Sequence, residues 1–274
     1  MDLGGKTLLI SGGSRGIGLA IAVKAAADGA NVALLAKTSD PHPKLAGTIH
    51  TAAAEIEAAG GKALPIVGDV RDEDSVKGAV AATVERFGGI DIVINNASAI
   101  DLSDAESLAM KKFDLMQSIN ERGTFLLSRE CIPHLRKGDN SHVLTLSPPL
   151  DMNPKWFKDH LAYTMAKYGM SMVTLGMAER YKEDGIAFNS LWPRTLIATA
   201  AVEFIVGGEE AMKRSRTPAI MADAAYAIVT RDSRSFTGNF CIDDEVLGDD
   251  VDLEAYKASP EAELQIDLFV DGPA

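Results

Sequence analysis

The feature that most constrains the fold of this chain is an alternation of short apolar runs with longer helical stretches. Seven runs have the length and branched aliphatic content of strands: 7–11, 31–36, 63–67, 90–95, 142–146, 186–192 and 238–242. Six stretches have the length and apolar spacing of helices: 16–28, 48–59, 72–87, 110–136, 162–182 and 221–230. Such alternation is typical of a parallel sheet that helices cover on both faces, with right-handed crossovers. We therefore predict a single α/β domain, built on a doubly wound parallel sheet of about seven strands with helices on both faces.

Two segments interrupt this alternation. Residues 38–50 contain two prolines and lengthen the second strand-to-helix connection. Residues 195–218 are irregular, with two consecutive glycines followed by a basic cluster at 213–216. A mobile lid over a site and a solvated surface helix are both compatible with the second segment. We expect the folded domain to span residues 1–247, followed by an acidic tail at 248–274.

The chain is acidic, and its charge is unevenly distributed. Its 274 residues carry a formal net charge of −12. Residues 243–274 hold 11 acidic residues and one lysine, so this stretch accounts for −10 of that charge. An acidic chain binds phosphate backbones poorly, and we therefore expect neither nucleic acid nor an anionic membrane surface as a partner. An apolar patch within the tail is predicted to dock on its own or a neighbouring subunit: Ile266, Leu268, Phe269 and Val270.

The cysteine and histidine content argues against two further classes of protein. The two cysteines, Cys131 and Cys241, lie far apart, and the histidines show no metal-ligand spacing. We therefore predict neither a disulfide framework nor a metal site. No apolar run is long enough to span a membrane, and no targeting signal is recognisable. These observations favour a cytoplasmic protein.

A glycine-rich turn follows the first predicted strand and opens the first predicted helix. Its sequence, Ser-Gly-Gly-Ser-Arg-Gly-Ile-Gly at 11–18, is in the strand–turn–helix context of a Rossmann-type dinucleotide site. Glycines allow a tight turn and a close approach of the backbone to a pyrophosphate, and the helix N-terminus offers free N–H groups to the anion. The predicted cofactor-binding residues here are Gly12, Ser14, Arg15, Gly16, Ile17 and Gly18. A turn without a ligand is the alternative.

The GxxxGxG spacing of this turn, together with later motifs, resembles the short-chain dehydrogenase/reductase family over residues 3–247. The matching positions after the glycines occur in the family's order: Asp69-Val70, Asn96-Ala97, Asn120, Tyr163-Thr-Met-Ala-Lys167, Pro193 and Thr195. The resemblance implies an NAD(P)-dependent enzyme that acts on an alcohol or a carbonyl group. It further implies a dimer or tetramer formed through the long helices that carry Asn120 and Tyr163.

The end of the second predicted strand indicates which nicotinamide cofactor binds. NAD-binding versions of this fold usually place an acidic residue there, to hold the ribose 2′-hydroxyl. Here the strand is followed by Lys37, and Arg15 lies inside the glycine turn. Both cations would neutralise a 2′-phosphate, so we predict NADP(H) rather than NAD(H). The alternative is that both are solvated surface residues.

The resemblance implies a reaction centre at Tyr163 and Lys167. The two residues are four apart on a predicted helix and therefore share one face. Tyr163 would exchange a proton with the substrate oxygen, and the Lys167 ammonium would lower the tyrosine pKa while holding the nicotinamide ribose. Asn120 matches the family's helix asparagine, which keeps a water in the proton relay. A buried structural amide is the alternative for Asn120.

The family's fourth catalytic residue, a serine, is displaced in this sequence. Its expected place falls on Pro148, and the nearest candidate is Ser147, followed by two prolines that lack an N–H donor. We predict that Ser147 contacts the substrate oxygen, with capping of the strand end as an equally weighted alternative.

The predicted pocket is apolar. Large side chains precede Tyr163 or lie on the following strand and lid segment: Met152, Trp156, Phe157, Leu161, Trp192, Phe204, Ile205 and Val206. They favour a lipophilic substrate of steroid, fatty acyl or terpenoid type, although any one of them could be core packing. His160 could reach the pocket rim. The alternative function is a catalytically weak or inactive NADP(H)-binding regulator, for which the displaced serine is the argument.

Overall fold

The computed structural model describes residues 2–41 and 46–272, and its strands form one parallel sheet in the order β3-β2-β1-β4-β5-β6-β7. The strands are β1 (Thr7–Ser11), β2 (Asn31–Ala36), β3 (Lys62–Val67), β4 (Ile92–Asn95), β5 (Ser141–Thr145), β6 (Ile186–Trp192) and β7 (Phe240–Ile242). The strand order reverses beside β1, which pairs with β2 on one side and β4 on the other. The predicted doubly wound α/β sheet is therefore confirmed.

Helices cover both faces of this sheet. They are α1 (Gly16–Ala27), α2 (Ile49–Ala58), α3 (Glu73–Phe87), α4 (Met110–Gln117), α5 (Gly123–Leu135), α6 (Leu161–Tyr181), α7 (Gly208–Lys213), α8 (Ala219–Val229) and α9 (Asp243–Leu247). Helices α1, α2 and α8 share one apolar core with the sheet. Helices α3, α5 and α6 share a second core on the opposite face. Apolar burial on both faces explains why the central strands are nearly continuous apolar runs.

The predicted helical stretch over residues 110–136 is confirmed for residues 110–135, with one irregularity that the sequence did not indicate. That stretch divides into α4 and α5, separated by a single π-helical turn at Ser118–Arg122. Such a turn inserts a wider loop of backbone into a helix and is often found at functional sites. Here it contains the buried Asn120.

The segment 195–218 has more regular structure than the sequence indicates. It contains a π-helical turn at Val202–Val206 and the short helix α7. Leu196, Val202 and Ala211 form a small apolar cluster of their own. Two backbone hydrogen bonds between the ends of the segment close it into a loop, from Ala198 N–H to Arg216 O and from Arg216 N–H to Leu196 O.

The acidic tail packs against the domain of its own subunit. Ile266 forms an antiparallel bridge with Thr195, and Lys257 forms another with Arg216. Phe269 and Val270 are buried in a third apolar cluster that also includes Tyr163. Of the two docking modes left open by the sequence, the structure has the tail on its own subunit. In the described ranges, no helix has the length and apolar character needed to cross a bilayer.

Candidate active site

A large cleft opens at the carboxyl ends of the central strands, where the strand order reverses. Its volume is about 1930 Å³. Most of the predicted site residues line it: Gly12, Ser14, Arg15, Gly16, Ile17, Lys37, Asp69, Val70, Asn96, Ala97, Tyr163, Lys167 and Pro193. In doubly wound sheets this crevice is where ligands bind. The fold therefore brings the glycine turn and the Tyr163–Lys167 pair to one cavity.

The glycine turn is shaped for close approach of its backbone. Gly12 has φ +72° and Gly16 has φ +59°, a conformation that favours glycine. A Cβ atom at Gly12 would lie 2.9 Å from the Cα atom of Ala97. Asn96 closes the turn from the end of β4, since its Nδ2 donates to the carbonyls of Ser11 and Gly12. Helix α1 begins at Gly16 without a side-chain cap, so its N-terminus can accept an anion.

Replacing Gly12 with alanine is expected to weaken NADPH binding by more than about tenfold, because the added methyl group would displace Ala97 and widen the turn. Gly5→Ala is the matched control, since Gly5 has the same φ of +72° and nothing within 4 Å of an added Cβ. Both variants pay the same left-handed backbone cost of about 1–2 kcal/mol. Equal dissociation constants for the two variants, measured by NADPH fluorescence, would contradict the steric argument.

Thr199 is a site residue that the sequence did not reveal. It lines the cleft, and its Cγ2 atom would lie 3.4 Å from a Cβ atom at Gly16. The predicted residue, Thr195, is instead fully buried in the bridge to Ile266 and does not line the cleft. The signal that could have found Thr199 is a second threonine four positions along the same loop.

At the end of the cleft beside Lys37, two cationic side chains pair with the same carboxylate. Lys37 Nζ lies 3.1 Å from Asp69 Oδ2, and Arg71 pairs with the same oxygen at 2.7 Å. The Arg71 guanidinium holds the pKa of Asp69 well below its ordinary value. Arg15, in the glycine turn, donates to the carbonyls of Ala46 and Gly47, which lie in the connection between β2 and α2. This end of the cleft therefore has an excess of positive charge.

Tyr163 and Lys167 lie on α6, and both side chains are at least 95% buried. Lys167 Nζ donates to the carbonyl of Leu146 at 2.9 Å and lies 5.1 Å from the ring centroid of Trp192. Burial lowers the pKa of Lys167 to about 7, with the charge of Asp267 acting in the opposite direction. Burial also raises the pKa of Tyr163 well above its ordinary value. This direction is opposite to the one predicted from Lys167 alone, because loss of hydration disfavours the phenolate.

Asn120 is held by the π-helical turn against the loop after β4. Its Oδ1 accepts from the N–H of Ala99 at 2.7 Å, and its Nδ2 donates to the carbonyl of the same residue at 3.0 Å. Ala99 lines the cleft, whereas Asn120 does not. Asn120 thus fixes the wall of the cleft through both of its amide atoms.

Ser147 is not brought together with Tyr163 and Lys167. It is fully buried, does not line the cleft, and its Oγ shares a hydrogen bond of 2.9 Å with Ser190 Oγ. Ser190 in turn donates to Thr174 Oγ1. The Ser147 hydroxyl thus belongs to a buried hydrogen-bond network with side chains of β6 and α6, which differs from the strand-end cap given as the alternative.

Replacing Ser147 with alanine is expected to change kcat/KM less than about threefold and to lower the free energy of unfolding by about 1 kcal/mol, the value of one buried hydrogen bond. Steady-state kinetics and urea denaturation measure the two quantities. A hundredfold loss of kcat/KM with an unchanged KM would instead return Ser147 to the mechanism.

The predicted apolar residues divide between the cleft and the core. Trp192, Phe204, Ile205, Val206 and the polar His160 line the cleft. Trp156 and Phe157 pack instead in the cluster around Phe269, while Met152 is 67% exposed and Leu161 is 39% exposed. This part of the cleft wall is therefore built from the end of β6 and from residues 204–206 of the irregular segment, which we call the lid segment (residues 195–218).

The C-terminal strap, defined as residues 265–270, is the part of this site that sequence reasoning missed. Four of its residues line the cleft: Gln265, Ile266, Asp267 and Leu268. Its Phe269 packs within about 6 Å of four aromatic rings, those of Trp156, Tyr163, Tyr168 and Trp192. The sequence had indicated the apolar patch of this strap, but not that it closes the active-site cleft.

The fold and this cleft define a dinucleotide-binding protein, and the comparison with protein families agrees. The short chain dehydrogenase family matches residues 6–206, and the chain belongs to that family. A solved short chain dehydrogenase from Mycobacterium thermoresistibile is 58% identical, with a TM-score of 0.93 over 99% of this chain and 97% of that one. An NADH-dependent reductase complexed with NAD is 26% identical, with a TM-score of 0.70 over 88% of this chain and 95% of that one.

A narrower likeness is to hydroxysteroid dehydrogenase-like protein 2. The protein of that name from Xenopus laevis is 58% identical over 271 residues, which are 98% of this chain and 64% of that protein. The chain thus spans less than two thirds of the relative's length. Five segments of the sequence also predict this likeness, and the comparison confirms it: 41–45, 146–150, 153–157, 163–172 and 191–195. Of these, residues 42–45 lie outside the described part of the structure.

Proposed function

We propose that this chain is an NADP(H)-dependent oxidoreductase that interconverts an alcohol and a carbonyl group on a lipophilic substrate. The observation that carries the proposal is the shared cleft, which Tyr163 and Lys167 line together with Gly12 and Gly16. A dinucleotide whose pyrophosphate lies at the start of α1 would extend along this cleft toward Tyr163. A proton donor would then stand beside the reacting carbon.

The bound nicotinamide supplies or accepts the hydride, and the chain's own residues move the proton. Tyr163 is buried with a raised pKa, so at neutral pH it is a phenol that can donate its proton to a carbonyl oxygen. Lys167 lies one helical turn along the same face and can donate to the ribose hydroxyls. Asn120 keeps the Ala99 wall in place. In the oxidative direction Tyr163 takes the proton back.

The lipophilic substrate class rests on the apolar lining of the cleft. Trp192, Leu196, Phe204, Ile205 and Leu268 line its nicotinamide end, and the Phe204 and Ile205 side chains are about half exposed to solvent. Exposed apolar side chains at a cleft mouth favour an apolar ligand that covers them. A steroid, a fatty acyl chain or a terpenoid has the required surface.

The preference for NADP(H) rests on Lys37, whose side chain is 58% exposed at the mouth of the cleft. Lys37→Glu is expected to raise the Kd of NADPH by about tenfold and to leave that of NADH unchanged or lower, because only NADPH carries the 2′-phosphate and an acidic residue here can hold the ribose 2′-hydroxyl. Fluorescence titration measures both constants. Lys62→Glu is the control, since Lys62 pairs with Asn31 at the start of β2 and so lies at the opposite end of the strands from Lys37. Tighter binding of NADH by the unmodified protein would overturn the preference.

The experiment that tests the proposed function follows NADPH absorbance with a panel of aldehydes, ketones and alcohols that includes steroid, fatty acyl and terpenoid members. Turnover of a lipophilic member supports the proposal. Tight NADPH binding without turnover across the panel would favour the regulatory alternative. That alternative draws on the position of Ser147, whose hydroxyl faces Ser190 rather than the cleft.

We further propose a homodimer or homotetramer formed through α5 and α6. Apolar side chains on these helices are exposed in the single subunit: Phe125, Met165, Met172 and Leu175. Met165, Met172 and Leu175 share one face of α6, at spacings of seven and three residues. A second copy of the chain would cover this face, and light scattering of the purified protein measures the oligomeric state. The cytoplasmic location stays a prediction.

A further inference from the structure

The C-terminal strap is fixed to the backbone that follows β6. Leu196 N–H donates to the carbonyl of Gln265, and Asp267 N–H donates to the carbonyl of Arg194, both at 2.9 Å. Between them lies the antiparallel bridge of Thr195 with Ile266. These contacts hold the backbone of Asp267 at the end of β6, where the cleft begins.

Trp192 connects the strap to the catalytic lysine. Its ring centroid lies 5.1 Å from Lys167 Nζ, and its Nε1 donates to the carbonyl of Leu268 at 2.7 Å. Asp267 precedes Leu268 and lines the same cleft as Lys167. The carboxylate of Asp267 also accepts from the N–H of Leu268 at 2.7 Å, which fixes its orientation. A carboxylate from the tail and the ammonium of α6 therefore line one cleft, and Trp192 contacts both Lys167 and the strap residue next to Asp267.

Lys167 needs a counter-charge. Its described contacts are a carbonyl and an aromatic ring, and these do not neutralise an ammonium that is only 4% exposed. Tyr163 faces it from α6 as a neutral phenol. Asp267 is the carboxylate whose charge acts on it, and burial raises the pKa of Asp267 to about 7 while the charge of Lys167 opposes that shift.

One further group acts on Asp267 from the start of α9. Asp243 is buried, and its negative charge disfavours ionisation of Asp267. The charge of Asp244 disfavours the ionisation of Asp243, and the charge of Arg216 favours it. Arg194 contributes its backbone carbonyl to Asp267, while its guanidinium pairs with Asp244 and Glu245. Among the described groups, Lys167 is therefore the cation that favours the carboxylate form of Asp267.

We propose that Asp267 is a positioning residue of the active site, a carboxylate that the C-terminal strap supplies to favour the ammonium form of the buried Lys167. The role in catalysis rests on the proposed function, since a protonated Lys167 donates more strongly to a ribose hydroxyl and stabilises a phenolate at Tyr163. A segment outside the family match at 6–206 thereby tunes the catalytic pair.

The test is a direct titration of Lys167 by NMR in protein labelled with ¹³C at the lysine Cε positions. The Lys167 signal is assigned by its absence in Lys167→Arg. In Asp267→Asn we expect the titration midpoint of Lys167 to fall by about one pH unit, because an attractive charge that favours the ammonium is removed. Asparagine retains the Oδ1 acceptor for the N–H of Leu268, so the strap keeps that hydrogen bond.

Three further variants make the result specific. Asp271→Asn removes an exposed carboxylate that follows the strap directly and pairs with Lys155. This variant should leave the titration midpoint of Lys167 unchanged. Asp267→Glu retains the negative charge, so the titration midpoint of Lys167 should stay close to that of the unmodified protein. Asp267→Ser, which is small and uncharged, replaces Asp267→Asn if the latter loses its cooperative thermal transition. An unchanged midpoint in the uncharged variant would overturn the proposal.

The titration needs neither cofactor nor substrate, so its outcome is independent of the proposed function. A shifted midpoint without turnover on the carbonyl panel would reject the oxidoreductase and leave the coupling of Asp267 to Lys167 standing. Where a panel member does turn over, the alkaline limb of kcat/KM should move to lower pH in Asp267→Asn, and not in Asp271→Asn. A structural role alone would not move that limb.

Discussion

Replacing Tyr163 with phenylalanine is expected to lower kcat by a factor of about 10²–10⁴, the usual contribution of a positioned general acid or base. Phenylalanine has the same ring, so the contact with Phe269 at 6.1 Å between centroids is retained. Only the phenolic hydroxyl, the proposed proton donor, is lost. Stopped assays with the most active member of the carbonyl panel measure the change in kcat, and fluorescence titration should show NADPH binding within about threefold of the unmodified protein.

Tyr168→Phe is the matched control for this experiment. Tyr168 lies five residues further along α6, is buried, and also packs against Phe269. Its hydroxyl donates to the carbonyl of Asp151 at 2.7 Å, outside the catalytic pair. We expect a small loss of stability, about 1 kcal/mol, and nearly unchanged kcat. If the two variants lose activity equally, Tyr163 is not the proton donor.

Phe269→Ala is expected to lower the free energy of unfolding by about 3–5 kcal/mol, the usual cost of removing a buried phenylalanine ring. Phe269 is 4% exposed and contacts the rings of Trp156, Tyr163, Tyr168 and Trp192. Its backbone has φ +72°, an unfavourable conformation for a bulky residue. Alanine keeps this backbone cost and loses the packing that offsets it. Urea denaturation gives the free energy of unfolding.

The same substitution should also affect the cleft. The strap residues Ile266 and Leu268 adjoin Phe269 and line the cavity, so loss of the anchor loosens that wall. We expect KM for a lipophilic substrate to rise more than the Kd for NADPH. Phe204→Ala is a control for the loss of stability alone, since Phe204 also lines the cleft but is 52% exposed. Equal stability of Phe269→Ala and the unmodified protein would show that the strap is not docked in solution.

The sequence was sufficient for the sheet and for the cofactor end of the site. Each central strand is buried on both faces and each covering helix on one, so the hydrophobic pattern alone predicts β1–β7 and most helices. The glycine turn could be predicted because the constraint is local: Gly12 and Gly16 need positive φ between a strand and a helix. Tyr163 and Lys167 share a face of α6 through the helical period alone.

Three features were decided only by tertiary contacts. The π-helical turn at Ser118–Arg122 could not be recognised from the sequence, because its residues continue the helical pattern of α4 and α5 on either side. The hydroxyl of Ser147 had two possible directions, and its buried partner Ser190 comes from β6. Thr199 reaches Gly16 because the lid segment folds over the turn.

What the sequence by itself determined is therefore the α/β sheet, the glycine turn and the helical spacing of the catalytic pair, because each depends on residues within a few positions of one another. Only the tertiary structure decided that Asp267 and Lys167, one hundred residues apart in the chain, line the same cleft. Electrostatic coupling depends on distance and hydration rather than on sequence separation. In the sequence, Asp267 is one of 11 acidic residues of the tail; in the fold, it is the one that lines the active-site cleft.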